Sequence, residues 1–431
     1  MEEVKSKIQN SKELGANKLR LDALSILGAG LLAIDSQEAV KRSVKIQDNT
    51  LIVQRKKFDL SKFDRVFVVG FGKCSCDAAL AIENVLGKER ITDGIVLDVK
   101  KRTLSCVRAF EGTHPHPSFQ NVRATHEILN MLKGVGERDL VIVIASGGGS
   151  ALLCDPYNLR CVDLQRINQA LFKAGANISE INTIRKHISL IHGGQLARIV
   201  YPATVVGLIF SDVPGNALDM VASGPTVRDT TTVTDAQKLL KKYKIAEVCG
   251  LSVCELTETP KEKLYFDNVY NFLICSNTDA LTNMAREAKK LGYKAKILTD
   301  KLQGEARKVG LKLIKDSKKG QALIAGGETT VTIKGTGSGG RNQELVLGAI
   351  SAIKQGQIIA SIASDGIDNT PVAGALADNE LIASAKKKRI DPKRYLLQNN
   401  SFEFFKKAGG YIVTGPTGSN VSDLVLVLRS K

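Results

Sequence analysis

LVIVIASGGGSALL, residues 140–153, is the stretch on which the fold turns. Six apolar residues, mostly β-branched, run without a polar break into Ser146, Gly147, Gly148, Gly149 and Ser150. A short continuous apolar run of this kind reads as a strand buried on both faces, the habit of parallel sheets. Three successive glycines cost more chain entropy than a plain turn warrants. They suit a loop whose backbone N–H groups cradle a phosphate beyond the carboxyl end of a strand. The loop is not a Walker sequence, because no GxxxxGK[ST] occurs in the chain, and Ser150 lacks the GxSxG frame of a hydrolase nucleophile.

The same alternation of short β-branched runs and longer amphipathic segments extends in both directions. Strands are expected at 65–69, 94–98 and 203–210, with helices at 77–86, 121–132 and 164–173, the pattern of βα units on a doubly wound, Rossmann-like parallel sheet. Residues 19–33 are so uniformly apolar that the helix they form should be buried. Residues 244–267 carry mixed charge and no period, and read as a connector. The pattern then restarts, with strands expected at 269–275, 294–298, 321–325, 330–334, 358–363 and 424–428, and helices at 278–291, 305–316, 343–353 and 379–388. The expected fold class is therefore α/β, with two α/β domains and the active site in the cleft between them. The first, residues 1–240, is Rossmann-like; the second, residues 241–431, is smaller and mixed, and residues 1–45 are free to pack against it.

Composition narrows the function. The chain has 431 residues, 61 Lys and Arg against 44 Asp and Glu, and 43% hydrophobic residues, which suits two globular domains and rules out disorder. No apolar run approaches the roughly 20 residues needed to cross a bilayer, so no membrane association is expected, and the polar N-terminus points to a cytoplasmic location. The net charge of +17 is scattered, its densest run (Lys386, Lys387, Lys388, Arg389) lacks interleaved aromatics, and there is no Trp, so nucleic acid is not an expected partner. Eight cysteines without a CxxC pair, and only five histidines, offer no structural zinc site.

Four further glycine-rich loops follow expected strands. In VVGFGKCSCDAA, residues 68–79, Gly70 and Gly72 form part of a dinucleotide fingerprint. However, Ser75 stands where the third glycine belongs, and Asp98 lies 26 residues beyond Gly72. Lys73 at a helix start suits a phosphoryl or carboxylate group, the alternative being a tight turn with a solvated lysine. In SDVPGNALDMVASGPT, residues 211–226, Asp212 stands just past a strand end, placed to bind a divalent ion or accept a hydroxyl proton, with Asn216 and Asp219 as further polar candidates.

The run AGGETTVTIKGTGSGGRNQE, residues 325–344, holds the densest anion-binding chemistry: Gly326, Gly327, Glu328 and Thr329 after one strand, then Arg341 at the mouth of a helix. Asp365 and Asp368 stand around Gly366 in residues 363–377, without the ligand ladder of a calcium loop. The turn at Ser276, Asn277 and Asp279 and the one at 415–420 could complete a nucleotide site. His114 and His116, in a proline-stiffened loop, are both candidates for substrate contact.

The order of these segments resembles a known family. VVGFGKCSCDAA, GTHPHPS, ASGGGSALL, INTIRKHIS with HGGQLA, SDVPGNALDMVASGPT, IAGGETTV, GGRNQELVL, SDGIDNTPVAGALAD and TGPTGSNVSDLVLVL together look like the ATP-dependent glycerate 2-kinases, whose C-terminal part is the MOFRL domain. The resemblance implies transfer of the γ-phosphoryl of ATP to the 2-hydroxyl of D-glycerate, with Mg²⁺. It marks Lys73 and Arg341 as essential and matches Asp212 to the family's SDxxG acid, the expected metal ligand. ATP would lie against Ser146, Gly147, Gly148, Gly149, Ser150, Asn277, Gly326, Gly327, Glu328, Thr329 and Asp365. Glycerate would meet Lys73, His116, Ser150, Asn216 and Arg341. A homodimer is compatible with this reading. The rival is an NAD(P)H-dependent hydroxypyruvate reductase using the partial fingerprint and Asp98.

Overall fold

The structure is a computed structural model that describes residues 7–213, 215–245, 247 and 256–431. Pro214, and in the connector Cys249, Gly250 and Cys254, lie outside the described residues. The chain divides into two units, one spanning Ser36–Cys275 and the other joining the N-terminal segment up to Asp35 with Ser276–Lys431.

The Ser36–Cys275 unit begins with a three-stranded antiparallel meander, β1 (Val44–Gln47), β2 (Thr50–Val53) and β3 (Lys56–Asp59). A six-stranded sheet follows: β4 (Arg65–Phe71), β5 (Asp93–Asp98), β6 (Arg108–Glu111), β7 (Asp139–Ala145), β8 (Thr204–Phe210) and β9 (Val269–Cys275). All of its neighbours pair in parallel, in the order β6-β5-β4-β7-β8-β9. The chain winds outward from β4 to β6, crosses back to β7, and winds the other way. β4 and β7 thus flank the point where the strand order reverses, and ligands of open α/β sheets bind beyond the carboxyl ends of such strands. Gly70 is in register with Ile144 and Phe71 with Ala145, so the loops that follow leave the sheet side by side. β7 is buried along its whole length, as its unbroken apolar run requires. Phe58 of the meander stacks edge-on against Tyr270 and Phe272, covering the edge strand β9.

The second unit holds a mixed sheet of β10 (Lys294–Leu302), β11 (Gln321–Gly327), β12 (Gln357–Ala363), β13 (Gly374–Asp378), β14 (Tyr411–Ile412) and β15 (Asp423–Arg429). Its order is β10-β11-β15-β12-β13-β14, with β10 and β11 parallel and the other pairs antiparallel. The helix Lys18–Ala33, capped by the Asn17 side chain, is buried within this unit. Its Gly30 lets Met284 of the helix Asn277–Lys290 and Leu424 of β15 approach closely. Arg20 on the same helix forms a two-pronged pair with Asp378 at 2.8 and 2.7 Å.

Three expectations need correction. The division falls at Cys275 and Ser276 rather than after residue 240, because the run 269–275 is the sixth strand of the parallel sheet. Residues 330–334 do not form a strand despite their β-branched pattern. At Gly327, with φ of 138°, the chain leaves the sheet, and the following backbone is tied to side chains instead: Thr332 N–H donates to Glu305 and Lys334 N–H to Asn399. Conversely, β13 lies inside a stretch read as loop, its short Gly-Ala-Leu-Ala run being too weak a signal outside the sheet that buries it.

Candidate active site

At the reversal point the first two glycine loops interlock. Lys73 N–H donates to the Gly147 carbonyl at 3.0 Å, and Ser146 N–H donates to the Phe71 carbonyl at 3.1 Å. Gly72 has φ of 117°, and a Cβ there would stand 2.1 Å from Ser146 Oγ, so only glycine permits the contact. Gly148 is also left-handed, at φ of 83°, and a Cβ on it would meet His114 at 3.0 Å and Lys73 Cγ at 3.3 Å. Lys73, His114 and the Ser146–Ser150 loop are therefore one cluster. Ser150 Oγ lies 2.9 Å from Ser223 Oγ, and Ser223 Oγ donates to Asn182 Oδ1 at 2.7 Å. This brings the helix Ile178–His187 and the loop after β8 to the same place.

Asp212 is half-buried just past the end of β8, next to β7 in the sheet. Asn216 takes a left-handed conformation in the same loop and is half-buried. His116 is exposed, and its carbonyl accepts from Thr113 Oγ1 at 2.7 Å; the histidine that reaches the glycine loop is His114. Lys186, buried, donates to Asp219 and Asp229, each at 3.2 Å. Burial opposes the Asp229 charge, and Lys186 with Thr231 overcomes it, holding the carboxyl below its ordinary range. This pair anchors the loop that carries Asp212 and Asn216.

A second cluster forms in the other unit, where β11 and β12 end beside the start of β15. Arg341 Nε donates to Asp423 Oδ2 at 2.6 Å and Nη2 to Oδ1 at 3.0 Å, while Glu328 Oε1 lies 3.0 Å from Nη2. Burial works against the guanidinium charge; Asp423 and Glu328 outweigh it and raise the pKa above its ordinary value. The Nε edge of the fork is thus committed to Asp423, leaving Nη1 as the donor that an incoming anion would meet.

Asp368 caps the helix Arg341–Ala349 from a distant loop, accepting from the backbone N–H of Asn342 at 3.1 Å and of Gln343 at 2.9 Å. Asp365 accepts from Ile367 N–H at 3.1 Å. Gly326 packs against Asn277, whose Nδ2 donates to the carbonyls of Val421 and Asp423 and whose buried Oδ1 has no partner among the described residues. Thr329 is buried, and Glu328 is exposed at 44%. The 365–368 loop was expected to hold ATP or brace Arg341, and Asp368 does the second; Asp423 was not assigned a role from sequence. The signal for Asp423 is a polar residue heading an otherwise apolar strand; Asp368 shares its loop with Asp365 and could be told from it only by the cap it makes.

Asp98 settles the meaning of the partial fingerprint. It stands at the end of β5, where a ribose-binding acid would be, yet it is buried, with Oδ2 accepting from Cys76 N–H at 3.0 Å and Oδ1 from Val99 N–H at 2.7 Å. Ser75 Oγ donates to the Leu97 carbonyl at 3.0 Å. These groups close the turn internally and do not present themselves to a nucleoside.

The description "Domain of unknown function (DUF4147)" fits residues 22–258, and "MOFRL family" fits residues 321–423. A glycerate 2-kinase of Pyrococcus horikoshii is 39% identical, with 96% of this chain and 98% of that protein covered. A D-glycerate 2-kinase of Thermotoga maritima is 38% identical, over 91% of this chain and 97% of its own length. The crystal structure of a glycerate kinase from Thermotoga maritima superposes with a TM-score of 0.82 at 35% identity, covering 95% of this chain and 98% of the other. With this identity sustained across nearly its full length, the chain belongs to the glycerate 2-kinase family.

Proposed function

We propose that this protein transfers the γ-phosphoryl group of ATP to the 2-hydroxyl of D-glycerate, releasing ADP and 2-phospho-D-glycerate. The observation that carries the reading is the placement of Lys73 against the Ser146–Ser150 glycine loop at the strand reversal, in a chain aligned end to end with glycerate 2-kinases. Phosphoryl transfer asks a protein for alignment and for charge to offset three equatorial oxygens, with little covalent chemistry. The 2-hydroxyl oxygen loses its proton, which ends in solvent, and forms a bond to Pγ while the bond from Pγ to the bridging oxygen of ADP breaks.

In this reading the N–H groups of Gly147 and Gly148 cradle phosphate oxygens, while the Gly149 N–H closes the loop on the Ser146 carbonyl at 3.0 Å, and Lys73 neutralises charge on the travelling group. Arg341, held rigid by Asp423 and Glu328, contributes its Nη1 edge to the same reaction. Gly326, Gly327 and Thr329, with the unpartnered Asn277 Oδ1, supply a nucleotide-facing surface in the second unit. Asp365 borders it, and Asp368 fixes the helix that bears Arg341.

Mg²⁺ fits this donor set. The ion keeps several waters and, in nucleotide sites, takes one or two carboxylates along with phosphate oxygens. Asp212 would hold it, and among the described residues no group of three His, Cys, Asp or Glu competes for a metal. The chemistry it supplies is neutralisation of the phosphoryl oxygens. No helix among the described residues is long and apolar enough to cross a membrane, and dependence on ATP fits a cytoplasmic setting. The test is ADP release that requires D-glycerate. NADH oxidation with hydroxypyruvate in its place would favour the reductase, which the inward-turned Asp98 argues against.

A further inference from the structure

Beside the glycine loop lies a cavity of about 40 Å³, wholly within the Ser36–Cys275 unit, lined by Pro115, Ser150, Asn168, Arg185, Ser189 and His192 among others. It shares Ser150 with the glycine loop and Pro115 with the His114 loop, so it adjoins the Lys73 cluster. At about 10–15 Å³ per water it has room for roughly three small polar atoms, the size of a carboxylate group.

Arg185 is the only cation in this wall. Its Nε donates to Asn168 Oδ1 at 3.0 Å, and among the described residues neither Nη1 nor Nη2 has a protein partner. No described carboxylate lies within 4.0 Å of it; Asp155, also in the wall, is 3.2 Å from His126 Nε2 instead. Burial without an opposing carboxylate pushes the guanidinium down to about 10, against the general rule that buried charges are paired. His192, in the same wall, is buried, and its Nε2 also has no partner among the described residues. Burial and the neighbouring Arg185 and Lys186 push that imidazole down to about 3, so the ring is neutral and adds no second charge. A cavity with an uncompensated guanidinium fork and an unsatisfied imidazole nitrogen is built for a small polar anion. The planar fork matches a carboxylate in two-pronged fashion.

We propose that Arg185 is the carboxylate anchor of the substrate, so that the acid group of a small 2-hydroxy acid seats in this cavity with its hydroxyl directed toward the Ser146–Ser150 loop. This rests on the kinase reading and supplies what that reading lacks, since the fork of Arg341 is already committed to Asp423. With Arg185 holding the carboxylate, Lys73 is left to the phosphoryl group.

The test uses the full-length protein. Arg185→Gln should raise the KM for D-glycerate, and its Kd measured by equilibrium dialysis of radiolabelled D-glycerate, about a hundredfold, the scale on which loss of one partner of a buried charge pair acts. The Kd for ATP and the melting temperature should stay close to wild type. If Arg185→Gln does not fold, Arg185→Lys, which keeps the charge and loses the fork, should still raise the glycerate KM while sparing ATP. Unchanged glycerate binding overturns the assignment. Loss of ATP binding with glycerate binding intact also overturns it and assigns the cavity to a nucleotide phosphate, and parallel loss of both makes Arg185 structural. Failure of the underlying reading looks different: the wild type would then release no ADP on addition of D-glycerate.

Discussion

Arg341 and Asp423 face each other in a two-pronged ion pair, at 2.6 and 3.0 Å, with the acid fully buried at the head of β15 and the arginine at the mouth of its helix. The pair makes Arg341 a fixed donor, because a lone long side chain at this exposure would sample many rotamers. Asp423→Asn keeps the shape and removes the charge. The expected result is a fall in kcat of about a hundredfold, the size of effect seen when one preorganised donor is lost. Stability should fall by about 2–3 kcal/mol, less than a fully buried broken pair because Arg341 remains partly solvated. Steady-state kinetics and urea unfolding check the two halves separately.

Lys73 gives the sharper catalytic test. Its backbone is pinned by the Gly147 carbonyl while its side chain runs past Gly148. Lys73→Ala should lower kcat/KM by at least about a thousandfold, consistent with loss of a group that neutralises developing charge. Because the pinning is through the backbone, the melting temperature should hold. Activity near wild type would remove Lys73 from the mechanism.

Gly72 isolates the role of backbone geometry. Gly72→Ala places a methyl group 2.1 Å from Ser146 Oγ and 2.6 Å from its carbonyl, at φ of 117°. The two loops must separate, at a cost of about 1–3 kcal/mol in strain and overpacking. The KM for ATP should rise together with the loss of stability, in contrast to Lys73→Ala, where stability is spared.

Asp98 predicts a pH signature. Burial, opposed by backbone N–H donors such as that of Cys76, raises its carboxyl from the ordinary 3.8 to about 6. The folded chain therefore binds a proton more tightly than the unfolded chain, so this group's contribution is fully present below about pH 4 and is lost as pH rises through 6. The shift corresponds to about 3 kcal/mol. Asp98→Asn keeps an acceptor for the cap and should remove that slope, so the variant gains on wild type in urea unfolding as pH increases from 4 to 7. A constant difference across the range would mean that Asp98 does not titrate there.

The parallel sheet was legible because buried parallel strands advertise themselves: 140–144 and 205–210 carry no polar side chain, and the glycines that follow mark the ligand-facing ends. The N-terminal helix was equally plain, and its place with the second unit was allowed for; Met284 and Leu424 packing onto Gly30 is what fixes it there. The residues 330–334 carried strand propensity, yet among the described residues only Thr330 pairs, in a single parallel bridge to Glu305, and none joins a sheet, which a linear pattern does not reveal. In the candidate site, residues that follow strands within glycine loops stood out. Those acting as partners stood out less: Asp423 and Asp368 work through Arg341 and its helix, and Arg185 entered only as one residue of the INTIRKHIS segment. Its meaning comes from the missing counter-charge, a property of three-dimensional neighbours.

The most direct measurement incubates the purified protein with D-glycerate, ATP and Mg²⁺ and follows product through enolase, with and without added phosphoglycerate mutase. Enolase accepts only the 2-phospho isomer. The account predicts full signal without the mutase; signal that appears only when the mutase is added, or none with either, would contradict phosphorylation at the 2-hydroxyl.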